Sequence, residues 1–119
     1  MTERQQEATL VYARELQQRL GLSQWTINWR WDDCAELEDG HLGILLWNLE
    51  HLWADVQVAA SRSLADVRET VRHELVHLAQ AEVYEAMKNI LIVHPDPLGE
   101  KWLTLAGEQV TRRLARALR

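Results

Sequence analysis

Ser63-Leu64-Ala65-Asp66-Val67-Arg68-Glu69-Thr70-Val71-Arg72-His73-Glu74-Leu75-Val76-His77-Leu78-Ala79-Gln80 is the stretch on which both fold and function turn. Leu64, Val67, Val71, Leu75 and Leu78 recur at the spacing of one helix face, which predicts a helix with a buried stripe. Ser63 stands where an N-cap belongs, with Asp66 three residues on in a variant of the capping box. Within this helix His73-Glu74-Leu75-Val76-His77 reads H-E-x-x-H. Histidines four apart project from one face and can ligate one metal ion, and Glu74 is placed to take a proton from a metal-bound water. His73 and His77 fall off the Leu/Val line, beside Thr70 and Gln80, so they are expected to face a cleft. Ordinary core histidines would have fallen on the line.

On the N-terminal side, Glu3 to Leu20 reads as a packing helix. Leu10, Ala13, Leu16 and Leu20 keep helical spacing, and Gly21 stops it. From Ser23 the period changes to two. Trp25, Ile27, Trp29 and Trp31 alternate with Thr26, Asn28 and Arg30, the pattern of a half-buried strand. Asp32 to Gly40 reads as an acidic loop ending in an Asp39-Gly40 turn. Gly43 to Leu49 and Ala54 to Ala60 are two further strand candidates. Their close spacing suggests a small antiparallel or mixed sheet, mainly antiparallel and built largely of hairpins, since the long connection that parallel pairing needs is missing between them. Ala81 to Val93 either continues the central helix or forms a short second one. Pro95 and Pro97 end regular structure there, and a last helix is expected from about Gly99 to Leu118. Its predicted apolar stripe is Leu103, Ala106, Val110, Leu114 and Ala117. The fold class is therefore α+β, in a single domain spanning residues 1–119.

Composition narrows the function classes. Hydrophobic content of 47% with 26% charged residues is that of an ordinary globular domain. A net charge of −5 argues against nucleic acid as a partner. Arg112, Arg113, Arg116 and Arg119 read as a solvated helix face and last turn. Cys34 is the single cysteine, so no internal disulfide can form. It reads as a small buried hydrophobe, with a metal-capping thiolate as the alternative. The polar segment Met1 to Glu7 has no apolar region of a signal peptide, and no run reaches the length of a membrane span. A monomer in the cytoplasm is the expectation. Six Trp and no Phe is an unusual aromatic choice. Four of them (Trp25, Trp29, Trp31 and Trp47) fall in the strand region, where large rings can fill a small core.

A catalytic zinc site needs a third protein ligand besides His73 and His77, with one position left open. The downstream candidates are Glu82, Glu85, His94, Asp96, Glu100 and Glu108. Glu82 and Glu85 share the helix or its extension and lie too far along the axis to bend back. A ligand on the following helix is geometrically easier, which leaves Glu100 and Glu108. The helical wheel does not choose between them.

The order of helix, three strands, H-E-x-x-H helix and glutamate-bearing helix resembles the minimal zincin metallopeptidases, above all the minigluzincins. The resemblance covers most of the chain, though His73-Glu74-Leu75-Val76-His77 is its one specific motif. It implies a zinc-dependent metalloendopeptidase of weak or latent activity, with a zinc-bound water activated by Glu74 and a peptide or protein as substrate. It also implies an edge strand that pairs with extended substrate, for which Ala54 to Ala60 would be the counterpart. The third ligand it implies is a Glu on a later helix. The tail from Glu108 to Leu114 looks more like that helix than the segment around Glu100 does, with His94 the outside candidate. Tyr84, His94 and Arg112 are the candidate oxyanion donors. The metzincin signature is absent, because the second His is followed by Leu78-Ala79-Gln80-Ala81-Glu82-Val83, which holds no Gly and no third His. SprT-like proteases carry a third His where Leu98 stands here. The alternative function is a zinc-stabilised module that binds a peptide or protein on the edge strand without catalysis.

Overall fold

Thr26–Asp32 (β1) and Trp53–Ala59 (β3), which alternate with period two, join the more evenly apolar Gly43–Asn48 (β2) in one three-stranded sheet in the computed structural model, which describes residues 1–93 and 97–118. Four helices complete the α+β fold: Glu3–Arg19 (α1), Leu64–Ala79 (α2), Ala81–Val93 (α3) and Pro97–Ala117 (α4). None of the described helices is long and apolar enough to cross a membrane.

Local chemistry sets the element ends. Thr2 caps α1 through a reciprocal pair of hydrogen bonds with Gln5, which satisfies two N–H groups left free at the helix start. Ser63 caps α2 by accepting from the Asp66 N–H at 3.2 Å. Gln80 closes α2 with its N–H on the His77 carbonyl, and α3 starts at the next residue. The segment after Gln80 is thus a separate helix. Asp39 and Gly40 both adopt positive φ, the turn conformation that the Asp-Gly pair predicts.

The strand order is β1-β3-β2, with β1 parallel to β3 and β2 antiparallel to it. The sheet is the mixed one of the two expected arrangements, because the chain leaving β1 passes beyond β3, returns as β2 and then turns back into β3. Two expectations are corrected. The loops and β2 together supply the long connection that looked to be missing. The strand after that turn is therefore central, not an edge. Both sides of β3 are hydrogen-bonded to neighbours, so β2 and β1 are the edges, and β2 is the one that borders the helices' cleft.

Ala54, Val56, Val58 and Ala59 of β3 are almost fully enclosed, as are Val67, Val71, Leu75 and Leu78 of α2 and Ala13 and Leu16 of α1. Helices α1 and α2 cover this face, and Trp25, Trp29, Trp31 and Trp47 fill its margins. Trp29 and Trp31, two residues apart on one strand face, stack with centroids 5.5 Å apart. The other face mixes polar residues with Ile44, Leu46 and Trp53, and there Asn28 donates to Asp55 across the β1/β3 pair at 3.0 Å. Cys34 is half-buried and unpaired with sulfur.

The stripe expected on α4 is not the one it buries. Val110 and Leu114 are 44% and 45% exposed, whereas Thr111 and Ala115 are enclosed. The helix is rotated so that Glu108, Thr111 and Ala115 face the body. The polar contacts described next account for that orientation.

Candidate metal centre

Helix α2 presents His73 and His77 one turn apart, with ring centroids 4.8 Å from each other and planes nearly perpendicular. Both rings are about three-quarters shielded and open toward a cleft of about 1420 Å³ bounded by β2, α2, α3 and α4. Helix α4 brings Glu108 between them. Its Oε1 lies 2.8 Å from His77 Nε2 and its Oε2 3.5 Å from His73 Nε2. One ligand atom from each of the three residues falls within 4.8 Å of the others, and the group could hold a metal ion. Among the described residues no other trio of His, Cys, Asp or Glu has this geometry.

The donor set suits a metal chemically. Metal ligation needs a neutral imidazole and an ionised carboxylate. His73 is held below its ordinary pKa, chiefly by burial and then by the neighbouring His77, so its neutral form is favoured. Behind His77, Nδ1 lies 3.3 Å from the hydroxyl of Thr111, and Gln80 Nε2 donates to that hydroxyl at 2.8 Å. A polar partner on the far nitrogen of a ligating His fixes the ring's orientation. Sequence reasoning did not single out Thr111 or Gln80 for this role. The signal was spacing: Gln80 follows His77 by three, and Thr111 follows Glu108 by three, so each shares a helix face with a ligand.

The other candidate ligands are elsewhere. Glu100 is exposed, two turns before Glu108, on a shallow side groove with Tyr84 and Lys88. Glu82 is exposed, and Glu85 accepts from the indole N–H of Trp47 at 3.2 Å. His94 and Asp96 lie outside the described residues. Of the candidate oxyanion donors, Tyr84 and Arg112 both line the cleft. Tyr84 is steadied edge-on by Trp47, with centroids 6.0 Å apart.

Glu74 points from α2 toward the start of β2 and is only 7% exposed. Burial pushes its pKa up to about 7, with the negative charge of Glu108 adding to the effect. A carboxyl tuned near neutrality can both take and return a proton. Gly43 of β2 lies close against it. A Cβ there would stand 2.8 Å from both Glu74 Oε1 and Thr70 Cγ2, too close for either. Thr70 is enclosed, and its hydroxyl donates to the Asp66 carbonyl, so it has little freedom to yield. Gly43→Ala is accordingly expected to cost about 1–3 kcal/mol of stability, read as a lowered urea midpoint. A midpoint within experimental error of wild type would mean that β2 does not press on Glu74. Comparison with protein-family models, with curated proteins and with solved structures gives no match for this chain.

Proposed function

We propose that this chain is a zinc-dependent, gluzincin-like metalloendopeptidase in which His73, His77 and Glu108 hold the ion and Glu74 is the general base. The observation that carries the reading is the convergence of both Nε2 atoms on one carboxylate, beside a buried glutamate whose pKa is raised to about 7. Two histidines and a glutamate form a known catalytic zinc set, and structural zinc sites take four protein ligands. The group here has three members among the described residues, and it faces an open cleft. When bound, the ion supplies Lewis acidity, lowering the pKa of water and polarising the scissile carbonyl.

The chain's own residues do the rest. Glu74 accepts the proton of the attacking water and returns it to the leaving amine, a role its near-neutral pKa suits in both directions. β2 has one free edge, and Ile44, Leu45 and Trp47 of this strand line the cleft. An extended peptide pairing with that edge would lay its backbone across the centre. This role passes to β2 from the strand that the resemblance implied. Tyr84 and Arg112 are the cleft residues able to donate to an oxyanion.

The test is zinc content of the purified chain followed by a peptide-library digest, with Glu74→Ala as control. About one zinc per chain, with cleavage in wild type and none in Glu74→Ala, is the expected result. Zinc uptake without cleavage of any peptide would leave the binding module as the function. No zinc uptake after incubation with the metal would overturn both.

A further inference from the structure

We propose that Thr111 is the positioning residue of the metal centre. Its hydroxyl holds the far nitrogen of the His77 ring, so that the other nitrogen is aimed at Glu108 and the cleft. The inference rests on the metal-site reading above. Thr111 is fully enclosed at the α2/α4 contact, in a place where an aliphatic residue would pack as well. Instead its hydroxyl lies between two polar groups, His77 Nδ1 at 3.3 Å and Gln80 Nε2 at 2.8 Å. The Gln80 amide is itself held by donating to the Val76 carbonyl at 3.2 Å.

The direction of each bond follows from what the partners can do. A carboxylate only accepts, so Glu108 Oε1 at 2.8 Å takes a hydrogen bond from His77 Nε2. When a metal takes Nε2 the ring's hydrogen belongs on Nδ1, and the Thr111 oxygen has two acceptor sites, one for Nδ1 and one for the Gln80 amide. An aliphatic side chain in this place would leave the Nδ1 hydrogen with nothing to hold it. Because Thr111 lies one turn beyond Glu108, one helix both supplies the third ligand and aims the second.

The test uses the full chain, zinc chloride and a competing chelator, with wild type, Thr111→Val and Thr111→Ser. Valine keeps the shape and removes the hydroxyl; serine restores it. Thr111→Val is expected to weaken zinc binding about 10–100-fold, with Thr111→Ser recovering most of the loss. Nitrogen NMR of the His77 ring provides a readout that packing alone would not move. In the loaded wild type the Nδ1 hydrogen is expected to be held against solvent exchange, and in Thr111→Val that protection is expected to be lost. Zinc affinity in Thr111→Val equal to wild type, or Thr111→Ser as weak as Thr111→Val, would overturn the proposal while leaving the metal site standing. A loaded wild-type ring with no protected hydrogen on Nδ1 would overturn it even if Thr111→Val failed to fold. A wild-type chain that takes up no zinc would overturn both this proposal and the function it rests on.

Discussion

Glu108→Ala is expected to abolish stoichiometric zinc binding while the fold persists. Structural zinc sites bind with roughly 10–16 kcal/mol, so removing one of three ligands should cost at least about 3 kcal/mol, a hundredfold or more in affinity. The fold should persist because Glu108 is 40% exposed at its side chain and lies outside the apolar clusters. Chelator competition measures the first effect and a thermal melt of the metal-free chain the second. Glu100→Ala is the control, since Glu100 stands on a different groove. Equal loss in both variants would point to damage to α4 as a whole, and zinc retained in Glu108→Ala would remove Glu108 from the ligand set.

Glu74→Gln has the second large effect, and it acts in opposite directions on activity and stability. In the proposed role of general base and acid, Glu74 is expected to contribute about 10²–10⁴-fold to peptide cleavage, with zinc content unchanged in the variant. Its burial carries a cost in the metal-free fold. The folded-state pKa of about 7 lies above the ordinary carboxylate value of 4.5, so the fold disfavours the charged form. Its contribution to stability is therefore fully present below pH 4.5 and is lost as the pH rises toward and through about 7. Glutamine cannot ionise. Metal-free Glu74→Gln should thus be more stable than wild type at pH 8, by something on the order of 3 kcal/mol, and nearly equal to it at pH 4. Urea melts at the two pH values measure the difference. A variant no more stable than wild type at pH 8 would mean that Glu74 ionises in the fold without penalty.

Much of this was readable from local pattern because local physics decides it. Capping chemistry at Ser63, alternation around Trp29 and the breaker at Gly21 each act within a few residues, and the elements formed where they indicated. Helix periodicity also separated His73 and His77 from the buried Leu/Val line. What a strand pattern does not carry is its lateral neighbours. Ala54, Val56 and Val58 state which face of β3 is buried, and that face looks alike on an edge strand and a central one. The position of β3 depended on the route of the chain between β1 and β2, which no single segment encodes. The α4 stripe failed for a related reason. Val110 and Leu114 are the more apolar residues, but Glu108 and Thr111 have polar partners on α2, and a helix has only one face to give. Glu108 came from the resemblance to the minigluzincins, since the wheel could not separate it from Glu100.

That orientation of α4 has a dynamic consequence. A helix that leaves Val110 and Leu114 in solvent and meets the body through Glu108, Thr111 and the small Ala115 has a limited hydrophobic hold on it. Its detachment is a sub-global opening of lower free energy than unfolding of the sheet, so its amides should exchange with deuterium well before those of β3. A metal bridging α2 and α4 binds the attached form only. At a hundredfold excess of free metal over Kd, attachment should gain about 2.7 kcal/mol, slowing α4 exchange about a hundredfold. Amides of β3 that open only by global unfolding would be slowed as well, and the two sets are told apart by their starting rates. The ligand helix then acts as a latch, closed in proportion to the logarithm of free metal.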